Sequence, residues 1–194
     1  MKNNLKKGIR STSFLDRTKS VSNPPAQFGI LLQESEQDHV NKSILESIAM
    51  AGVDKLGMYS VGVDLMLSGG LRLSELLSQN AFFVTPFGQV AIRGSKGSAD
   101  KLVTPLYHKA YWLERVGWSA NPFRIVSRFT WYRFLKAQGV CMHEKGRGNN
   151  IVTHAARKLQ AHSLFNAGVE LEGIRDIMGH RSASSTLFYG AKRL

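Results

Sequence analysis

One stretch of strand-forming sequence interrupts a chain that otherwise has helical character. Residues 82–106 contain FFVTPFGQVAIRG and KLVTPLY, which are rich in β-branched and aromatic residues. The stretch is broken by Gly88 and by the turn sequence GSKGSAD. This combination predicts a hairpin or a small antiparallel sheet, with Lys96 at the tip of a hairpin.

Helical patterns lie on both sides of this segment. Upstream, apolar residues recur every three or four positions between Asp38 and Gly52, a second helix is predicted from Asp54 to Leu67, and a third begins near Arg72. Downstream, helices are predicted over 107–117, 123–138, 153–167, 170–178 and 183–189. The expected fold class is therefore mainly α (α+β), with a small antiparallel sheet inserted among helices.

The first 38 residues differ from the rest. Residues 1–20 carry six basic residues and one acid, without the apolar core of a secretory signal. We therefore predict a flexible basic arm over 1–38, able to lie on phosphates, and one domain over 39–194. A weak organelle transit peptide is the alternative interpretation of the arm.

The charge of the chain points to its partners. It has 26 Lys and Arg against 14 Asp and Glu, a net charge of +12. Such an excess favours nucleic acid first and an anionic membrane surface second, although a basic protein without such a partner is also possible. No apolar run reaches the roughly 18 residues of a membrane span. Cys141 is the single cysteine, which excludes an intrachain disulfide and a cysteine zinc cluster.

Six polar residues stand where core, cap or turn residues are otherwise expected. They are Arg72, Lys96, His154, Arg157, His180 and Tyr189. Arginine, lysine and histidine side chains suit the binding of a phosphate, and a tyrosine hydroxyl beside them is a nucleophile whose pKa the positive charge would lower. Each residue alone also has an ordinary structural explanation, so the argument rests on their order and spacing.

Four motifs set that order. SGGLRLSELL at 68–77 contains Arg72, RGSKGSADKLVTPL at 93–106 contains Lys96, HAAR at 154–157 precedes MGH at 178–180, and Tyr189 follows nine residues after His180. In sequence and spacing they resemble the tyrosine recombinases (phage-integrase family) over about residues 55–189. The HAAR motif departs from the family pattern, because it has alanines where the family usually has a leucine. Lys158 then stands where the family usually has a histidine, and Ser68 takes the place of the threonine in the first motif.

The resemblance implies a catalytic domain of the short form. The usual N-terminal core-binding domain does not fit in the preceding residues, and few residues follow Tyr189 for a helix that docks into a neighbouring protomer. Double-stranded DNA is the implied partner. The protein is expected to be a monomer in solution and a tetramer on DNA, with a possible accessory DNA-bending protein and no membrane partner. A cytoplasmic, nucleoid-associated location follows, with organelle targeting as the alternative.

The implied chemistry is DNA cleavage and rejoining that needs neither metal, cofactor nor ATP. Arg72, Arg157 and His180 would bind the scissile phosphate, and Tyr189 would attack it to form a 3′-phosphotyrosyl link. Lys96 would protonate the leaving 5′ oxygen, while His154 would act as general base or orient the arginines. The motifs contain no acidic cluster for magnesium, which argues against a two-metal nuclease.

Further basic residues are expected to contact DNA, mostly through phosphates. These candidates are Arg93, Lys101, Arg124, Arg128, Arg133 and Lys158. A solvated basic face is the alternative for several of them. Two other functions remain open from the sequence: a type IB topoisomerase that relaxes supercoils, and a catalytically decayed integrase that only binds DNA.

Overall fold

A computed structural model describes residues 36–78, 82–94, 98–140 and 154–190. Residues 188–190 are described by their backbone alone. The elements before and within the sheet are α1 (Glu36–Met50), α2 (Val53–Leu56), α3 (Met58–Gly69), α4 (Leu73–Leu76), β1 (Phe82–Val84), β2 (Val90–Ile92) and β3 (Lys101–Val103). Those after it are α5 (Lys109–Leu113), a 3-10 helix (Pro122–Ile125), α6 (Arg128–Ala137), α7 (Ala155–Asn166), α8 (Leu171–Met178) and α9 (Ala183–Gly190). The predicted order of helices, small sheet and helices is confirmed.

The sheet is antiparallel, in the order β1-β2-β3. Phe82 pairs with Ile92, and Val90 pairs with Val103. Alternate residues face the core because side chains in a strand point to opposite sides of the sheet. Phe82, Val90 and Val103 are accordingly buried, while Phe83 and Leu102 are exposed on the outer face.

Helix α3 forms the centre of the domain. It is buried along nearly its whole length, and α1, α7 and β3 pack around it. A chain of aromatic rings then joins the sheet to α6: the Trp112 ring lies 5.4 Å from Phe82 and 6.3 Å from Phe123, which in turn lies 6.3 Å from Trp131. Large rings bury much apolar area, so these contacts stabilise the sheet against the helices.

A buried carboxylate ties the end of the sheet to α3. Asp64 accepts hydrogen bonds from the backbone N–H groups of Leu106, Tyr107 and His108, at 3.0, 3.1 and 2.9 Å. It also accepts the hydroxyl of Ser68 at 3.0 Å. Three backbone donors converging on one carboxylate satisfy groups that would otherwise be buried unpaired. The connection between β3 and α5 is therefore held against the middle of α3.

Several predicted boundaries were wrong. The helix predicted from Asp54 to Leu67 is two helices, because Gly57 between them has a φ of +57° and so leaves the helical region. The helix predicted over 123–138 begins with a separate 3-10 turn, and α6 starts only after Ser127, whose hydroxyl accepts the N–H of Thr130. The helix predicted over 107–117 shortens to α5.

The predicted arm falls mostly outside the described residues. Residues 1–35 are not described, and residues 36–38, which we assigned to the arm, form the first turn of α1. Across the described ranges, no helix combines the length and apolar character needed to cross a membrane.

Candidate active site

Glu75 lies at the centre of the site, although the sequence analysis did not select it. It sits at the third position of α4, and its carboxylate accepts the backbone N–H of Arg72 at 2.9 Å, which closes the start of the helix. The Arg72 guanidinium turns back to the same carboxylate at 2.8 Å. Glu75 is fully buried, whereas the Arg72 side chain is 27% exposed. The spacing of Arg72 and Glu75 in LRLSEL was the signal that could have revealed this pair.

Arg157 joins three parts of the chain from α7. Its Nη1 donates to the carbonyl of Gly70 and its Nη2 to the carbonyl of Met178, both at 2.6 Å, and Nη1 lies 3.7 Å from the Glu75 carboxylate. The guanidinium is fully buried. Gly70 ends α3 with a left-handed φ of +54°, a conformation that favours glycine and that turns its carbonyl toward Arg157.

The two predicted histidines flank this cluster. His180 follows the end of α8 and is buried, with its Nδ1 2.9 Å from the hydroxyl of Thr186 in α9. Burial, reinforced by Arg157, Arg72 and Lys101, lowers the pKa of His180 to about 4. His154 immediately precedes α7, and burial together with Arg72, Arg157 and Arg128 lowers its pKa as well. Both imidazoles are therefore neutral at pH 7.

Lys101 does not lie on the surface, where we expected it to contact DNA. Its side chain is 5% exposed, and its ammonium donates to the Glu75 carboxylate at 3.2 Å and to the Gly69 and Gly70 carbonyls at 3.4 Å. The reason is the alternation of β3: Lys101 and Val103 share the inward face, and Leu102 points outward. A lysine two positions from a buried valine was the signal in the sequence.

Charges around Glu75 perturb one another. Burial alone would raise the pKa of Glu75, but Lys101, the Arg72 amide and Arg157 outweigh it and hold the pKa below the ordinary value. Burial and the neighbouring Arg157 lower the pKa of Lys101 to about 8, against the opposing pull of Glu75. Ser98, another residue we did not select, accepts a hydrogen bond from Arg72. The site therefore holds three cations against one carboxylate.

The other predicted residues are placed differently. Lys96 lies outside the described residues, and Tyr189 belongs to α9, where its backbone alone is described. The Lys158 ammonium donates to both carboxylate oxygens of Asp38 at 2.9 Å, and this ion pair joins α7 to α1. The remaining candidates for DNA contact are exposed: Arg93, Arg124, Arg128 and Arg133.

An excess of buried positive charge is suited to binding an anion. Guanidinium groups offer planar paired donors to a phosphate, and a neutral imidazole can donate one proton and accept another. Within the described ranges, no group of three or more His, Cys, Asp and Glu residues could hold a metal ion. The geometry thus supports phosphate binding by arginine, lysine and histidine side chains.

Curated relatives point to one family. The chain is 26% identical over 144 residues to tyrosine recombinase XerC of Chlamydia caviae, covering 66% of this chain and 45% of that protein. It is 28% identical over 146 residues to tyrosine recombinase XerD of Neisseria meningitidis, covering 66% and 48%. The chain thus spans about half the length of these relatives. No protein-family model matches it.

The fold comparison agrees. The crystal structure of XerA recombinase superposes with a TM-score of 0.54 at 20% identity, covering 88% of this chain and 62% of that one. This likeness concerns the fold, which is mostly helical with the small antiparallel sheet. In motif order and in its curated relatives the chain is similar to the catalytic domain of tyrosine recombinases, and its fold is similar to that of XerA recombinase.

Proposed function

We propose that the chain is a site-specific DNA recombinase or integrase that cleaves and rejoins double-stranded DNA. The observation that carries the proposal is that Arg72 and Arg157 both pair with the buried Glu75 carboxylate and lie close enough to His180 to lower its pKa. These residues come from three separate segments of the chain, and α9, which contains Tyr189, follows His180 in the sequence.

The scissile phosphate would dock against the cationic cluster. Arg72 is the partly exposed guanidinium and would contact a nonbridging oxygen, with the charge of Arg157 beneath it. The His180 Nδ1 lies 2.9 Å from the Thr186 hydroxyl. With that hydroxyl donating to Nδ1, a neutral His180 would carry its proton on Nε2 and would donate it to a second oxygen. Donors already held in place stabilise the charge that develops in the transition state without reorganising.

The reaction would be an in-line exchange at phosphorus. The bond from the Tyr189 oxygen to phosphorus forms as the bond from phosphorus to the 5′ oxygen breaks. His154, which is neutral at pH 7, would accept the phenol proton, and Lys96 would supply the proton that the 5′ oxygen takes up. The phosphotyrosyl link retains the energy of the phosphodiester, so rejoining would need no ATP.

The same proposal covers the partners. Exposed Arg93, Arg124, Arg128 and Arg133 would neutralise DNA phosphates, and Arg128 lies close enough to His154 to lower its pKa. Recombination joins four strands, so we propose a monomer that assembles as a tetramer on DNA at the nucleoid, with an accessory DNA-bending protein where the site demands it. The topoisomerase and the decayed DNA-binding protein are not favoured, since the relatives are recombinases.

Covalent trapping tests the proposal. Incubation with a nicked suicide duplex carrying DNA that flanks the gene, followed by denaturation, should leave a protein–DNA adduct. Tyr189→Phe should abolish the adduct, because phenylalanine has no nucleophilic oxygen. Tyr107→Phe removes an exposed hydroxyl and is the matched control, expected to form the adduct normally.

Two outcomes would contradict the proposal. An adduct that persists in Tyr189→Phe would move the nucleophile elsewhere. Failure of the wild-type protein to form an adduct on any duplex, while it still binds DNA, would favour the non-catalytic alternative. Relaxation of supercoiled plasmid without a paired site would favour the topoisomerase.

The acid side of the pH profile follows from the histidines. Since both pKa values lie below the ordinary value of about 6.5, the neutral imidazoles persist as the pH falls through that value. The rate of adduct formation should therefore stay within about twofold between pH 7.5 and 6.5 and decline only at lower pH. Single-turnover rates across pH 4.5–8 check this, and a decline centred at pH 6.5 or above would contradict it.

A further inference from the structure

We propose that Lys101 is a positioning residue of the phosphate site, which braces Arg157 by sharing its acceptors and supplies the third positive charge. The inference rests on the proposed function. It concerns a lysine other than Lys96, and it starts from the contacts of the Lys101 ammonium.

Lys101 and Arg157 hold the same two acceptors. The Gly70 carbonyl accepts from Arg157 at 2.6 Å and from Lys101 at 3.4 Å. The Glu75 carboxylate oxygen that lies 3.2 Å from Lys101 lies 3.7 Å from Arg157. Loss of the ammonium would leave the Gly70 carbonyl to Arg157, and the shared Glu75 oxygen to Arg157 and the Arg72 amide. The guanidinium would then be free to shift toward the carboxylate and away from a bound phosphate.

Lys101 acts through its neighbours and not by touching DNA. An ammonium has three N–H donors, and the contacts to Glu75, Gly69 and Gly70 account for that number. Its stem also lies against Gly179, where a Cβ would come within 2.8 Å of the Lys101 Cε. One side chain thereby contacts the turn after α3, the start of α4 and the residue before His180.

The charge of the site depends on the same residue. Among the described residues, three cations pair with the Glu75 carboxylate when Lys101 is protonated, and Arg72 and Arg157 remain when it is neutral. The charged or titratable groups around Lys101 are Glu75, Arg72, Arg157 and His180. Arginines remain charged, and Glu75 and the neutral His180 do not titrate above pH 7. Lys101, with its pKa near 8, is therefore the member of this group that changes charge between pH 7 and 9.5.

Binding of dimethyl phosphate tests the inference without a recombination site, because this probe is a phosphodiester monoanion across that pH range. The imidazole resonances of His154 and His180 report on its binding at constant ionic strength. Wild-type affinity should fall about tenfold from pH 7 to 9.5, since loss of one nearby charge removes at least that much attraction. Lys101→Arg, which cannot lose its charge, should change less than about twofold over the same range.

Lys101→Met separates the charge from the packing. It should bind dimethyl phosphate about tenfold more weakly than the wild type at pH 7 and show no further weakening at pH 9.5. Lys42→Met removes an exposed lysine of α1 and should behave as the wild type. The wild-type pH profile stands without any variant, so a folding defect in one of them does not remove the test.

Each outcome bears on a different claim. Equal pH profiles for wild type and Lys101→Arg, or unchanged affinity in Lys101→Met, would overturn the role of Lys101 while the Tyr189 adduct could still form. If the histidine resonances of the wild type do not shift when dimethyl phosphate is added at pH 7, the phosphate site itself is overturned, and this inference with it. Trapping of the adduct is a separate measurement, so the two failures are distinguishable.

Discussion

Glu75→Gln should lower the free energy of unfolding by about 3–5 kcal/mol at pH 7, because it leaves three cations without their buried counter-charge. The substitution keeps the shape of the side chain and an acceptor for the Arg72 amide. The decrease in the free energy of unfolding therefore measures the contribution of the negative charge of Glu75. Urea denaturation followed by circular dichroism measures it. Glu172→Gln, on the exposed side of α8, is the matched control and should stay within about 0.5 kcal/mol of the wild type.

The difference should also depend on pH with a definite sign. The pKa of Glu75 is lower in the folded protein than in the unfolded chain. At pH values between the two pKa values, the folded state therefore binds fewer protons than the unfolded state. The stabilisation is complete above the unfolded value and disappears as the pH falls through the folded value. The stability difference between wild type and Glu75→Gln should therefore shrink steadily as the pH falls below 4.5, the ordinary pKa of the carboxyl. A gap under about 1 kcal/mol at pH 7, or one that persists unchanged into acid, would contradict this account.

Arg157→Lys should reduce the rate of phosphotyrosyl adduct formation by at least about 100-fold, in the range seen when one oriented donor to a transition state is lost. Lysine keeps the charge but has a single nitrogen, which cannot reach the carbonyls of Gly70 and Met178 together as the guanidinium does. The turn before Arg72 and the end of α8 before His180 would then lose their common anchor.

Two measurements distinguish the loss of the Arg157 contacts from a general loss of DNA binding or of folding. Affinity for non-specific duplex DNA should stay within about twofold, because the net charge does not change. Unfolding free energy should fall by about 1–3 kcal/mol, the cost of a buried carbonyl left without its donor. Arg175→Lys, in an exposed ion pair with Asp176, is the control and should cleave normally. An Arg157→Lys protein with a single-turnover rate within fivefold of the wild type would exclude the bridging role.

Local sequence was sufficient for the architecture. Apolar periodicity and strand-forming runs are properties of short windows, and they correctly placed the sheet between two groups of helices. Local steric effects decided the boundaries that were missed: Gly57 divided one predicted helix, and the Ser127 cap delayed the start of α6. The glycine and the serine are visible in the sequence, but the apolar periodicity continues through both positions. Periodicity alone therefore did not predict that a helix would end or begin there.

The motifs singled out Arg72, His154, Arg157 and His180, and the tertiary structure brings these four side chains within electrostatic range of Glu75. Their catalytic roles stay predictions. The sequence by itself thus determined the fold class and most of the candidate site. Only the tertiary structure decided that Glu75 is the counter-charge and that Lys101 lies inside and not on the DNA-facing surface. The physical reason is that the energy of a buried charge depends on the partners that surround it. These partners come from segments up to 87 residues apart, beyond the reach of any local pattern.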